Sequence, residues 1–404
     1  MALVTLKEES RRLGGFYVPQ FEVKIHGVGL PRDVLRDVTE ITYSDNVTEI
    51  DSFEMSVNNW DPTTNDFKYV GSETAADLEG KSERALRYKL FEPCSQAVDV
   101  LMGYLGELVP MITGQVTTME PNFPTGGAPT LTVRGLNALH KLRRKQYTYA
   151  WENMKDSEIA ESINNLRDPD SGEKRLPLPI KIEPNALNTE EAISYVAQQN
   201  LFDVDFLLIR ARRRGYVFHL RKDADGNEEL YFGPSESKRE PVTYHLKWGQ
   251  SLIEFKPSLT TANQVASVTV NGWDRRTKKT ISVTVGLEDL RSGRNQDLYR
   301  LLDDAGCGEA REEIVVDEPV FTENEARRRA EAILSDQTKA IVKASGSTIG
   351  LPELRAGRKV AIDGLGARFS GTYFVTETTH SINASGYVTR FQARREDVGG
   401  GAPA

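Results

Sequence analysis

Apolar and polar residues alternate with a period of two along much of the first 135 residues. Phe21, Val23 and Ile25 are interleaved with Glu22, Lys24 and His26, and Phe53, Met55 and Val57 with Glu54 and Ser56. That period places one face on a core and the other in water, so each run predicts a half-buried strand. Leu86, Tyr88 and Leu90, then Ile112, Gly114 and Val116, then Leu131 and Val133 extend the series. Turn-forming clusters at 58–66 and 120–129 separate the runs and predict an all-β first domain, a barrel or sandwich.

From about 136 to 203 the period lengthens. Leu136, Leu139 and Leu142, and Ile159, Ile163 and Leu166 behind Asp156, predict two short helices. Asn188 and Glu191 have capping-box spacing ahead of Ile193, Val196 and Ala197 and predict a third. The runs 204–211, 215–221 and 229–233 predict the sheet that buries them, with a hairpin turn at Asp223–Asn227. Past 241 alternation returns at 266–273, 279–286, 358–364, 371–380 and 386–394, broken by a helix over 322–338. That helix has Thr322 and Glu325 as its capping box and Ala326, Ala330, Ile333 and Leu334 as its apolar stripe.

The fold class expected is therefore mainly β with an α/β insert: two related β-barrel domains at 1–147 and 241–395, a small α/β domain at 148–240 and a flexible tail at 396–404. The relation between the barrels rests on an internal echo. SVNNWD at 56–61 and GQVTT at 114–118 return in the same order as TVNGWD at 269–274 and GTYFVTET at 371–378. This predicts that Trp60 and Trp273 are buried and close equivalent barrel ends.

Composition narrows the function. Of 404 residues, 39% are hydrophobic and 27% charged, which is a folded chain of two to three domains. Lys and Arg number 51 against 59 Asp and Glu, a net charge of −8, which argues against a dedicated nucleic-acid or anionic-membrane surface. Cys94 and Cys307 are the two cysteines, too few for a disulfide framework or a cysteine-rich zinc site. Cys94 is expected to be a small buried residue. No secretory signal opens the sequence, and the most apolar stretch, 98–114, is interrupted by Gly103, Gly106, Glu107 and Pro110 and is shorter than the ~20 residues that span a bilayer. Asn46-Val-Thr48 and Asn383-Ala-Ser385 are read as turns rather than glycosylation acceptors.

Candidate chemistry is sparse. His26, His140, His219, His245 and His380 have no metal-ligand spacing. Asp223, Asp225 and Asn227 imitate the start of a calcium loop, but Gly226 is misplaced and Pro234 stands where the closing Glu belongs. Arg210, Arg212, Arg213 and Arg214, flanked by Phe206, Tyr216 and Phe218, are expected at a solvated hairpin tip, and the acidic run 309–318 at a solvated edge. No catalytic, cofactor or metal residue is assigned. Two further readings stand open: a polysaccharide or peptidoglycan hydrolase using two carboxylates, and a carbohydrate-binding surface built on Trp60, Trp151, Trp248 or Trp273.

The carboxy-terminal string 350–395 is similar to the closing segment of the phage late control D family, the hub proteins of contractile tails. The residues that carry the resemblance are Gly350, Pro352, LRAG at 354–357, Val360, Ile362, Phe369, Gly371, YFVTETTH at 373–380 and GYVTRF at 386–391. The stretch 114–144 and the segment near Trp151 resemble the family's first barrel edge and helical insert. The resemblance implies a non-enzymatic homotrimer in which two barrels per chain make six units, adapting a sixfold inner tube to a threefold spike. Its partners would be copies of itself, the tube protein, a spike on a separate chain and other baseplate proteins, with no specific nucleic acid and no stable membrane anchoring. It would assemble in a bacterial cytoplasm and end in a phage tail or injection-system particle.

Overall fold

The structure is a computed structural model. It describes residues 4–397 except 95, 144, 224–226, 235–241, 261–264, 276, 291–310, 317–319 and 340. Cys307, Asp225, Gly226 and the tail beyond 397 lie outside the described residues.

The chain is mainly β with an α/β insert. A 14-stranded sheet forms its frame. Twelve of the strands are numbered here in chain order: β1 Pro19–Ile25, β2 Val38–Asn46, β3 Ser52–Asn58, β4 Ala97–Tyr104, β5 Glu107–Asn122, β6 Thr130–Asn137, β7 Val242–Lys247, β8 Leu252–Leu259, β9 Val342–Ile349, β10 Lys359–Asp363, β11 Gly371–Asn383 and β12 Gly386–Asp397. The two-residue strands Val4–Thr5 and Val28–Gly29 complete it.

Spatial order divides the frame into two arcs. The first runs β1-β4-β5-β6-β3-β2 and the second β7-β10-β11-β12-β9-β8. Numbered within each arc, both read 1-4-5-6-3-2. Four of the five pairings in each arc are antiparallel in both; the first differs, β1 lying antiparallel to β4 and β7 parallel to β10. Each arc packs its own core, with Tyr43, Phe53, Met55, Val100 and Val133 in the first and Tyr244, Val360, Tyr373, Val375 and Phe391 in the second.

The repeat extends to irregularities, which fix its register. A bulge interrupts β5 between Val116 and Thr118, and another β11 between Val375 and Glu377. The extra residue is a threonine in both. Thr117 Oγ1 donates to Arg134 O at 3.4 Å and Thr376 Oγ1 to Gln392 O at 3.2 Å. Val116 O accepts from Cys94 N at 2.9 Å, and Val375 O accepts from Gly357 N at the same distance. Cys94 and Gly357 are both left-handed, at φ 66° and 81°. A second pair of bulges falls between Val38 and Glu40 in β2 and between Leu252 and Glu254 in β8. Bulges cost ladder bonds and bend a strand, so four at matching positions indicate one architecture used twice.

The echo that carries this repeat is therefore VTT at 116–118 with VTE at 375–377. The tryptophan echo does not: SVN lies in β3, whereas Ser267–Asp274 belongs to a separate three-stranded sheet. Trp60 is half-buried and Trp273 is 50% exposed, so neither closes a barrel end. Cys94 is likewise exposed, not buried, because its turn lies at the surface.

The insert differs most from expectation. Residues 204–211, read as a strand, lie in the helix Asp203–Arg214. Val204, Leu207 and Ala211 bury one helical stripe, acidic Asp203 and Asp205 open it, and left-handed Gly215 ends it. Residues 193–197, read as the apolar part of a helix beginning at 188, lie in the strand Ile193–Leu201 paired with Tyr147–Met154, since the helix Pro184–Thr189 ends before the alternating run begins. Leu86 and Tyr88, read as a strand, lie in the helix Glu83–Tyr88, capped by Ser82. Tyr216–Lys222 pairs antiparallel with Glu228–Pro234 and Asp223 N donates to Asn227 O at 2.8 Å, as the hairpin expected at Asp223–Asn227 requires, while residues 224–226 of its turn lie outside the described residues. The helix Glu323–Lys339 is present, with Glu325 N donating to Thr322 Oγ1 at 3.1 Å.

Candidate interaction site at the junction of the arcs

The arcs meet edge to edge. β2 pairs antiparallel with the second half of β11, from Asn46 opposite Glu377 to Glu40 opposite Asn383. On the solvent side Ser44 and Thr379 hydroxyls meet at 3.3 Å, and Ser381 Oγ donates to Glu40 at 2.9 Å. The buried side is ionic. Asp45 accepts from Arg355 Nε at 2.7 Å and from Thr378 Oγ1, while Arg355 Nη2 donates to Met111 O at 2.9 Å and to Tyr43 OH. The guanidinium carbon lies 4.4 Å from the centre of the Tyr43 ring.

This cluster separates the protonation of two neighbouring carboxyls. Burial pushes Asp45 up, but the Arg355 charge outweighs it and holds the carboxyl below its ordinary range. Asp51 is pushed up to about 8, first by burial and then by the negative Asp45, although Asn137 Nδ2 donates to it at 2.8 Å. Burial, then the Arg355 charge, pushes His380 down to about 3, and burial, then Arg221, pushes His219 down to about 4. His380 Nε2 faces Leu354 O at 3.0 Å and Nδ1 faces Tyr387 OH at 3.0 Å, partners that suit a neutral ring. Split carboxyl pairs also occur in catalytic sites. Here, however, the cavity beside them is about 90 Å³, well below the ~300–1,000 Å³ of ligand sites, so the pair is a fastening between arcs.

A pH profile follows. Below about 6.5 an unfolded histidine binds a proton that folded His219 and His380 refuse until about 4 and 3, so acidification removes stability. Folded Asp51 keeps its proton up to about 8 whereas the unfolded residue loses it near ~4, so stability falls as pH rises across that interval. Between 4 and 6.5 the two histidines outweigh the aspartate; above 6.5 Asp51 acts alone. Unfolding free energies from urea titrations are expected to peak near pH 6.5 and to fall on both sides by of order 1 kcal/mol per pH unit, with the midpoints following. Asp51→Asn should flatten the alkaline side, and a midpoint still rising between pH 6.5 and 8 in the unsubstituted protein would contradict the assignment.

The other candidates do not converge. His26 and His140 are exposed, His245 is half-buried, and His219 and His380 are core residues. Among the described residues no three His, Cys, Asp or Glu side chains are grouped to hold a metal. Asp223 and Asn227 close their hairpin, Asn227 N donating to Asp223 Oδ1 at 2.8 Å. Both glycosylation-like sequences are turns, closed by Asn46 and Asn383. Trp151 is buried on Phe206, exposed Trp248 follows the end of β7, and exposed Trp273 lies in the separate three-stranded sheet, so the tryptophans form no common strip.

The arginine cluster is not a hairpin tip. It ends the helix Asp203–Arg214, where buried Arg210 bonds Asp156 Oδ1 at 2.5 Å and Arg214 takes the other carboxylate oxygen. Phe206 and Phe218 are core side chains and offer no stacking face. Arg210, Arg213 and Arg214 line a cleft of about 540 Å³ against the helix Glu323–Lys339, whose Arg328 pairs with Glu191. Part of the acidic run is an edge strand, Glu312–Val315, with Glu312 in solvent.

The fold is similar to that of phage tail proteins of known structure. The 43 kDa tail protein of prophage MuSo2 from Shewanella oneidensis matches with TM-score 0.63 and 16% identity over 94% of this chain and 99% of that one. A tail protein of Neisseria meningitidis matches with TM-score 0.62 and 12% identity over 94% and 97%. An Escherichia coli component of the type VI secretion system, described as similar in structure to phage T4 tail proteins gp27 and gp5, matches with TM-score 0.54 and 13% identity over 95% and 79%. No curated protein matches the sequence. The chain belongs to the Alg8 N-terminal domain family, whose model matches residues 17–384.

Proposed function

We propose that the chain is a structural hub in the baseplate of a contractile tail or injection apparatus. It acts as a homotrimer whose six lattice units meet a sixfold inner tube on one face and a threefold spike on the other. The observation that carries this reading is the 1-4-5-6-3-2 strand order found twice in one chain, with matching bulges. Three chains with two equivalent units each resolve a sixfold-to-threefold mismatch without a second gene product. We assign residues 1–147 and 241–395 to the hub units and 148–240 to an outward insert. The role is assembly, and no reaction is assigned. Neighbours in secretion-system and tail particles support the setting, including a Francisella PdpA–VgrG complex matched with TM-score 0.53 at 8% identity. Mass measurement and electron-microscopic class averages of the isolated protein test the proposal. Three copies in a ring of six lobes are expected; a monomer at tens of micromolar would count against it.

A further inference from the structure

The repeat makes the junction between arcs a rule that can be applied again. β2 and β11 are the second and fifth strands of their arcs, and their counterparts are β8 and β5. Among the described residues the outer edge of β8, and that of β5 from Thr117 to Asn122, have no strand partner. We infer that β5 of one chain lies antiparallel beside β8 of a second copy, in the register that β2 and β11 show within the chain. This rests on the homotrimer reading and names the surfaces that would form it.

The bulges supply the register. Thr118 corresponds to Glu377 and Ser258 to Ser44, so the Asn46–Glu377 pairing becomes Thr260 opposite Thr118, and the following positions step inward from there. Met119 then faces Leu259 and Pro121 faces Pro257 on the core side. Glu120 faces Ser258 and Asn122 faces Lys256 on the solvent side. An apolar face and a polar face, alternating in phase on both strands, is what a buried antiparallel pair requires. Met119, Pro257 and Leu259 are already half-buried, and Pro121 is exposed in the single chain. The buried Asp45–Thr378 contact of the internal junction is replaced here by methionine and leucine, so no charge needs a partner across the chains.

The prolines set the character of this contact. Val47 N donates to Thr376 O at 3.0 Å, which makes His380 and Tyr43 a pair that exchanges backbone bonds. Their counterparts are Pro121 and Pro257, neither of which has an N–H. The ladder between chains therefore skips its central bonds and is held by side-chain packing. The facing prolines bar an ordinary hydrogen-bonded ladder from these edges, so a second copy is held there by the apolar match of Met119 with Leu259.

Glu120 and Ser258 occupy a non-bonded pair, the counterpart of Thr379 and Ser44, where Cα atoms approach to about 4.5 Å, within disulfide range. In a Cys94→Ser, Cys307→Ser background, Glu120→Cys combined with Ser258→Cys is expected to give covalent dimers and trimers on mild oxidation, with nothing above the trimer. Either cysteine alone should give neither. Met119→Lys should weaken association at least tenfold at a temperature where circular dichroism shows the single chain still folded, although the loss of its packing on the first core lowers the melting temperature of that chain. A trimer by mass that forms no crosslink overturns the proposed junction and leaves the trimer standing. A monomer by mass overturns both, and a ladder beyond the trimer overturns closure. Unchanged association of Met119→Lys overturns the apolar contact.

Discussion

Arg355→Ala should lower global stability by about 3–5 kcal/mol, the range for leaving one member of a buried ion pair unpaired. The Asp45 side chain is 8% exposed and Arg355 21%, so little solvent reaches the orphaned carboxylate. The same substitution strips a donor from Tyr43 OH and from Met111 O, which ties the fastening to β2 and β5 as well as to the loop before β10. Arg355→Lys should recover only part of the loss, because an ammonium keeps the charge but not the planar fork that reaches three partners. Asp45→Asn placed on Arg355→Met should be less damaging than Arg355→Met alone, since the uncompensated charge is then gone. Urea denaturation of the four proteins decides the matter, and a loss below about 1 kcal/mol for Arg355→Ala would show that the junction is held by its backbone ladder instead.

Asp156→Ala should be comparably damaging within the insert. Its carboxylate is 2% exposed and receives two guanidiniums, Arg210 at 9% and Arg214 at 14% exposure, from the last turns of the neighbouring helix. Removal leaves two buried cations, Arg214 keeping only the attraction of Glu190 among the acids that act on it. A cost of about 3–5 kcal/mol is expected. Trp151, stacked on Phe206 at 5.3 Å between ring centres, reports on this core. Its fluorescence should shift to the red at lower urea in the variant, before the transition of the sheet frame, and coincident transitions would show that insert and frame unfold as one unit. Asp156→Asn, which keeps shape and some hydrogen bonding, should fall between.

How far these contacts were legible depends on their range. The 322–338 helix was readable because cap, stripe and period agree within a few residues, and the 223–227 hairpin because its turn residues act locally. The helix Asp203–Arg214 was misread because Val204, Phe206, Leu207 and Ile209 form a short apolar run that fits a buried strand equally well. Gly215 after three arginines was the overlooked signal of a helix end. Residues 193–197 failed in the opposite way, when capping-box spacing outweighed an alternation that buries Val196 and Gln198. The Asp45–Arg355 pair spans 310 residues, and no local pattern joins two such positions. The repeat was half legible: VTT and VTE mark matching bulges, whereas the tryptophan similarity reflects only that strands ending in turns share a vocabulary.

The pairing of β2 with β11 also has a consequence during translation. Ser44 leaves the ribosome 335 residues before Thr379, its neighbour across the junction. At ~5–20 residues per second the nascent first arc waits on the order of tens of seconds with that edge unsatisfied. Its β2 edge carries no proline, unlike the β5 and β8 edges, so the growing chain is most open to misassociation at the margin that residues 377–383 will cover.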